Sequence, residues 1–385
     1  MMTPRERFNA VMDFKKPDRL PWLEWFDEEA LIKWGEEGWP ILKTVVFEWG
    51  LTAFIGSWPL FRGFDPYAHF GCQNFWACLV PVDIGPIPRF PIRVIREDGN
   101  YTDRIIDNGA VVREKKGTGF FRYQMPMYLD FPVKDIESWQ EYKKRLNPED
   151  IRRYPKNWNR DIYMEIFEQY QNGVTTLPLT GFYGFGAQLM GIAAFNVAFY
   201  KNPELICDMA EYWEFYMTET LRNAVETLRN RIDMVYWWED MAENHGPFIS
   251  PKIFEKFFLP HYKNVVEFLK KNKIRHFMVD SDGNVNPLID LIMKAGINGL
   301  WPLEAKAGMD AVALNKKYGG KLFIGGNLDK RKVAEGGKTM EQEIDSKLPA
   351  LRELGGYFPS MDHLVSPEIT HERFMEYKKY LEKYL

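Results

Sequence analysis

MVYWWED (234–240), FMVDSDGN (277–284) and GLWPLE (299–304) are three apolar runs that each end in acidic or amide residues. Two amphipathic segments, roughly 250–272 and 286–296, lie between them and are long enough for helices. Strand, helix, strand, helix, strand predicts parallel βαβ units. In such folds the loops at the carboxyl ends of the strands converge on one crevice, and chemistry gathers there. Glu239, Asp240, Asp280, Asp282 and Glu304 stand at those ends. Three successive strands ending alike read as one site.

The alternation continues outward. Downstream, KLFIGGN (321–327) and GGYFPS (355–360) read as strands, with helices between them and a terminal helix over 366–385. Upstream, TTLPLT (175–180) is a strand followed by GFYGFGAQLMG (181–191), whose glycines lack the spacing of a dinucleotide fingerprint. Helices near 187–201 and 203–230 follow. Six strands, each followed by helix, with a strand or two from the N-terminal half, predict an α/β fold of the (β/α)8 TIM-barrel type spanning 1–385 as one domain. Thr3 and Pro4 open a helix over 3–14, and 27–37 forms a second, so the barrel carries an N-terminal helical extension. Between about 91 and 125, the short runs IRVIRED, YTDRIID, GAVVREKKG and GFFRYQM predict a small antiparallel β insertion. A helix is expected at 161–172, and the aromatic stretch 50–92, without periodicity, is expected to wrap the mouth.

Composition narrows the function classes. Net charge is −4 and no basic stripe occurs, which argues against nucleic acid as a partner. The three cysteines form no CxxC pair, as expected of a reducing interior. The N-terminus reads as a charged amphipathic helix and no apolar run approaches the length of a membrane span, so a cytoplasmic protein without a membrane partner is expected. Aromatic residues make up 16% of the chain, with 13 Trp, which suits a pocket for flat organic ligands as well as it suits a core.

Asp280 and Asp282, two apart, face one side of their strand end. Glu304 ends the next strand, and Asp362 and His363 follow the last one, where His363 can serve as general base or metal ligand. Two metal sets stay open: Asp240, Glu255 and His276, from a strand end, a helix and a strand start, or Asp280, Asp282 and His363. Oxygen and imidazole donors suit zinc or another divalent ion.

TPRERFNAVMDFKKPDRLP (3–21), EDMAENHGPFISPKIFEKFFLPHYK (239–263), VDSDGNVNPLIDLIMKAGINGLWPLEAKAGMD (279–310), GGNLDKR (325–331) and GGYFPSMDHLVSPEIT (355–370) resemble the uroporphyrinogen decarboxylase superfamily. The resemblance implies the same barrel with its site at the C-terminal mouth. The arginine-rich segment of true decarboxylases corresponds here to LPWLEWFDEEALIKW (20–34), acidic and aromatic, which would repel a polycarboxylate. The chain is therefore more similar to the cobalamin-dependent methyltransferases, whose thiol-activating members use His-x-Cys where Asp280 and Asp282 stand, and a further Cys near 360–362. The implied function is demethylation of a small donor, a methoxylated aromatic, with the methyl group passed to a separate corrinoid protein. Methylcobalamin would belong to that partner, since no DxHxxG stretch occurs here. On this reading Glu239, Asp280, Asp282, Glu304 and His363 form the catalytic shell, and Trp22, Trp25, Phe182, Tyr183, Trp238, Asn284 and Asn327 bind substrate. A homodimer is left open. The alternatives are a decarboxylase or lyase of a small organic acid, and a non-catalytic binding barrel.

Overall fold

In a computed structural model the apolar runs become neighbouring parallel strands. The structure describes residues 1–38, 46–49, 59–62, 66–73, 78–116, 126–156, 158–161 and 174–385. One sheet holds, in spatial and sequence order, β1 (Cys78–Leu79), β2 (Thr175–Thr180), β3 (Met234–Trp238), β4 (His276–Asp280), β5 (Gly299–Trp301), β6 (Phe323–Leu328) and β7 (Tyr357–Met361). Every pairing in it is parallel. Strands covered on both faces need no polar side, and all six residues of β2 are buried.

The segment 22–24 lies between β7 and Gln73. Leu23 N–H donates to the Pro359 carbonyl of β7 (2.9 Å). On its other side, Gln73 N–H donates to the Trp22 carbonyl (2.9 Å) and Glu24 N–H to the Gln73 carbonyl (3.1 Å). Seven parallel strands alternating with helices are the TIM-type barrel that the alternation predicts. Its carboxyl-end register sets Asp280 level with Trp238 on one side and Trp301 on the other.

The helix Pro4–Met12, opened by a Thr3/Glu6 capping box, plugs the opposite end. Its Phe8, Val11 and Met12 pack with Met234, Met278, Phe323 and Phe358, and each such burial stabilises by about 1.5–3 kcal/mol. Arg5 clamps it through two hydrogen bonds to Asp233 (2.8 and 2.7 Å), whose Oδ2 also accepts from Thr175 N–H.

Several boundaries differ from the sequence reading. The helix expected over 250–272 is two, Pro251–Phe257 and Leu259–Lys271, because Pro260 offers no N–H and suits only a first turn. GFYGFGAQLM is itself helical (Phe182–Met190), and Gly191, at φ 76°, turns the chain into Ile192–Lys201. The antiparallel insertion has strands Arg93–Glu97, Tyr101–Ile105, Val111–Lys115 and Met127–Asp130. Its fourth strand thus follows the run expected at 119–125, which lies outside the described residues. So do most of the helix expected at 161–172 and much of the stretch 50–92.

Candidate active site

The rim of the barrel gathers carboxylates from four strand ends. Asp240, Asp280 and Asp282 each present an oxygen within 4.8 Å of the others. Asp280 is held from below: Tyr236, inside the barrel on β3, donates its hydroxyl to Asp280 Oδ2. Asp240 sits at φ 42°, a left-handed conformation that costs a non-glycine residue about 1–3 kcal/mol, and its Oδ1 lies 3.4 Å from Asp282 N–H. Glu304 joins from the end of β5, accepting from Gly283 N–H (2.8 Å). His363, after β7, brings Nε2 to 3.3 Å from Asp282 Oδ2.

Crowding like charges in a buried place disfavours their ionisation. Burial, then the neighbouring Asp282, pushes Asp240 up to about 7. Burial and the charges of Asp240 and Asp282 raise Asp280 well above the carboxylate range. Glu304 moves the same way, by burial and then Asp282. For His363 burial pulls downward, but the hydrogen bond and charge of Asp282 win and its pKa rises. The group therefore favours bound protons, and Asp240, Asp280 and Asp282 are placed where they could hold a metal ion.

An aromatic wall stands beside it. Trp25 packs against Trp301 (centroids 5.8 Å apart) and His363 (6.5 Å), and Trp301 against Tyr236 (6.4 Å). Trp238 is half-buried next to the same cluster. Asp362 tightens the rim by accepting from Ala305 N–H (2.9 Å) and Lys330 N–H (3.0 Å).

The structure thus brings Asp240, Asp280, Asp282, Glu304, His363, Trp25 and Trp238 to one mouth. Others expected there lie elsewhere. Glu239 points outward to the start of the helix Phe182–Met190, where its Oε2 accepts from Gly184 N–H (2.7 Å); burial raises it to about 8 against those amides. The carboxylate serves as the cap that Gly181 cannot provide. Trp22 is in the core, its indole N–H on Glu24 (2.7 Å) and its ring on Phe374. Phe182 and Tyr183 are buried among the outer helices, against Tyr262 and Phe195. Asn284 donates to the Ala307 carbonyl, and Asn327 to those of Leu303 and Met309 while accepting from Ala311 N–H, so both amides brace loops.

The set Asp240, Glu255 and His276 is not brought together. Glu255 is exposed on its helix and paired with Lys294 (2.8 Å). His276 starts β4 at the far end of the strand from Asp280, beside Asp13 (3.2 Å). Sequence reasoning missed Tyr236 and Trp301. Tyr236 shares the strand face of Trp238, and a buried tyrosine hydroxyl needs a partner, which was the available signal.

The family model for uroporphyrinogen decarboxylase (URO-D) matches residues 130–384. No curated protein matches in sequence. A methyltransferase from Methanosarcina mazei has a similar structure over 100% of this chain and 99% of that one, with TM-score 0.59 and 15% identity, a likeness of fold. A B12-independent methionine synthase from Shewanella sp. W3-18-1 is similar over 57% of this chain and 64% of that chain, with TM-score 0.36 and 11% identity.

Proposed function

Because the chain belongs to the uroporphyrinogen decarboxylase family, we propose that it is a methyltransferase of the corrinoid-dependent kind, demethylating a methoxylated aromatic. The observation that carries this reading is the triad Asp240, Asp280 and Asp282 beside His363, under the Trp25–Trp301 wall. A methyl ether is inert because its leaving group is a phenolate, so the ether oxygen needs an acid or a cation.

The chain's residues fit both tasks. Three carboxylate oxygens and an imidazole are the donors a zinc or similar divalent ion takes, and the raised proton affinities mark a site short of positive charge. Asp240, Asp280 and Asp282 would hold the ion, with His363 as fourth ligand or as the base that Asp282 orients. A bound ion supplies Lewis-acid polarisation of the ether oxygen. The reduced corrinoid of a partner protein would supply the nucleophile for the methyl carbon. Tyr236 fixes one oxygen of Asp280, leaving the other for the site. In the metal-free state Asp240, raised to about 7, keeps a proton near neutrality that can pass to the departing phenolate oxygen. Trp25 and Trp301 hold the ring and exclude water. The reaction would break the methyl C–O bond, with the methyl group passing to the partner's corrinoid and the phenolate taking a proton from Asp240 in the metal-free state or from solvent when an ion is bound, so that a phenol leaves.

Two measurements test this. Metal content of the wild type beside Asp282→Ala and His363→Ala should show about one divalent ion per chain, lost in the first variant. Purified protein given 2-methoxyphenol and free reduced cobalamin as acceptor should form methylcobalamin, read by its absorbance. No methylcobalamin from any methoxyarene in a panel, with metal and reductant supplied, would rule the reading out.

A further inference from the structure

The charge balance of the mouth selects among aromatic donors. Asp240, Asp280, Asp282, Glu304 and Asp362 stand on the rim, and Asp27, the cap of the helix Glu28–Glu36, acts on His363 beside them; among the described residues the basic side chains that bear on these carboxylates are His363, Lys330 and, on Asp362, Arg331. The next two cations along the chain are engaged: Arg331 pairs with Asp329 (2.6 Å) and Lys332 with Glu343 (2.6 Å). A divalent ion among the three aspartates still leaves more carboxyl groups than bases. Among the described residues no guanidinium is paired with any of these six carboxylates, and a guanidinium fork is the usual receptor for a ligand carboxylate.

Trp25 and Trp301 add to the same preference. Their faces carry negative electrostatic potential and attract a cation, whereas a carboxylate gains nothing there. We propose, on the methyl-transfer reading above, that this site takes methoxyarenes whose ring substituent is cationic or neutral and rejects those bearing a carboxylate. Glu304 is the specificity-determining residue. It stands on the rim outside the metal triad, and its Oε2 accepts from Gly283 N–H, so an amide there keeps the size and the hydrogen bond while removing the charge. A like charge about 7 Å away, at an effective dielectric constant near 20, weakens binding on the order of tenfold to fiftyfold.

The test uses three probes with the same para-methoxy group: 4-methoxybenzylamine, 4-methoxybenzyl alcohol and 4-methoxyphenylacetate. Metal-loaded protein with reduced cobalamin should show kcat/KM falling in that order, at least tenfold between the ends, and Glu304→Gln should narrow the span severalfold. Equal or better use of the carboxylate probe would overturn the proposal. If none of the three is demethylated, methyl transfer itself has failed, and calorimetric binding of the same probes still decides the charge preference. Tighter binding of the amine than of the carboxylate, narrowed in Glu304→Gln, would uphold it. Equal binding, or no binding by any probe, would sink it.

Discussion

His276 offers the sharpest test of how this barrel is built. It is 4% exposed, with its ring edge toward Phe323 and Nε2 at 3.2 Å from Asp13, outside good hydrogen-bond geometry. Burial lowers its pKa from 6.5 to about 4, with Asp13 opposing and Arg275 adding to the fall. The folded state therefore holds it neutral while the unfolded chain protonates near 6.5. Stability from this residue is complete above 6.5 and is lost as pH falls toward 4. Over that window the unfolded state binds up to one extra proton, a slope near 1.4 kcal/mol per pH unit, or about 3 kcal/mol in all. His276→Gln removes the titration. Urea midpoints of wild type and variant between pH 8 and 4.5 should converge or cross below pH 6, by roughly that energy, with metal content unchanged. Parallel stability curves would refute the buried-neutral account, and loss of metal would restore His276 to the ligand set.

Gly181→Ala puts a Cβ 2.2 Å from Glu239 Cδ and 2.4 Å from the Tyr262 hydroxyl, so urea midpoints should fall by about 1–3 kcal/mol; an unchanged midpoint contradicts the packing. Arg5→Ala removes the nearer of two guanidinium partners of Asp233, leaving Arg231 at 3.8 Å, and with Asp233 nearly buried the loss should be about 1–3 kcal/mol, read from thermal unfolding. Divalent-ion binding should release protons, because Asp240 and Asp280 must ionise to ligate; calorimetry in buffers of differing ionisation enthalpy would then give buffer-dependent heats near pH 6, and buffer-independent heats would count against these ligands.

The sequence carried the barrel because parallel strands buried on both faces leave an apolar signal ended by chemistry. It carried Asp280, Asp282, Glu304 and His363 for the same reason: each lies just past such a run. Direction was harder. Glu239 and Asp240 are adjacent at one strand end, and nothing in their types says which faces the mouth. Alternation sends one outward, and the uncapped helix at Gly181 takes Glu239. The aromatics were harder still, since Trp22 and Trp25 differ only in which side of their segment they occupy. Long-range partners decide that: Phe374 and Tyr377 for the first, Trp301 and His363 for the second.

The rim also works against folding. Asp240 in a left-handed conformation and three aspartates crowded beside a buried tyrosine each cost stability, and nothing in local propensity repays it. Such an arrangement persists when the scaffold overdetermines it, here through β3, β4 and β5 in register on both sides of Asp280. Neutralising the crowding should then stabilise the metal-free fold while impairing the site, the trade expected of groups kept for function. Asp282→Asn is the direct case. It relieves the repulsion that Asp282 exerts on Asp240, Asp280 and Glu304, so metal-free thermal stability should rise and divalent-ion affinity should fall. A variant that is less stable and still binds metal would mean the aspartates cluster for structural reasons, and the functional reading of the rim would lose its footing.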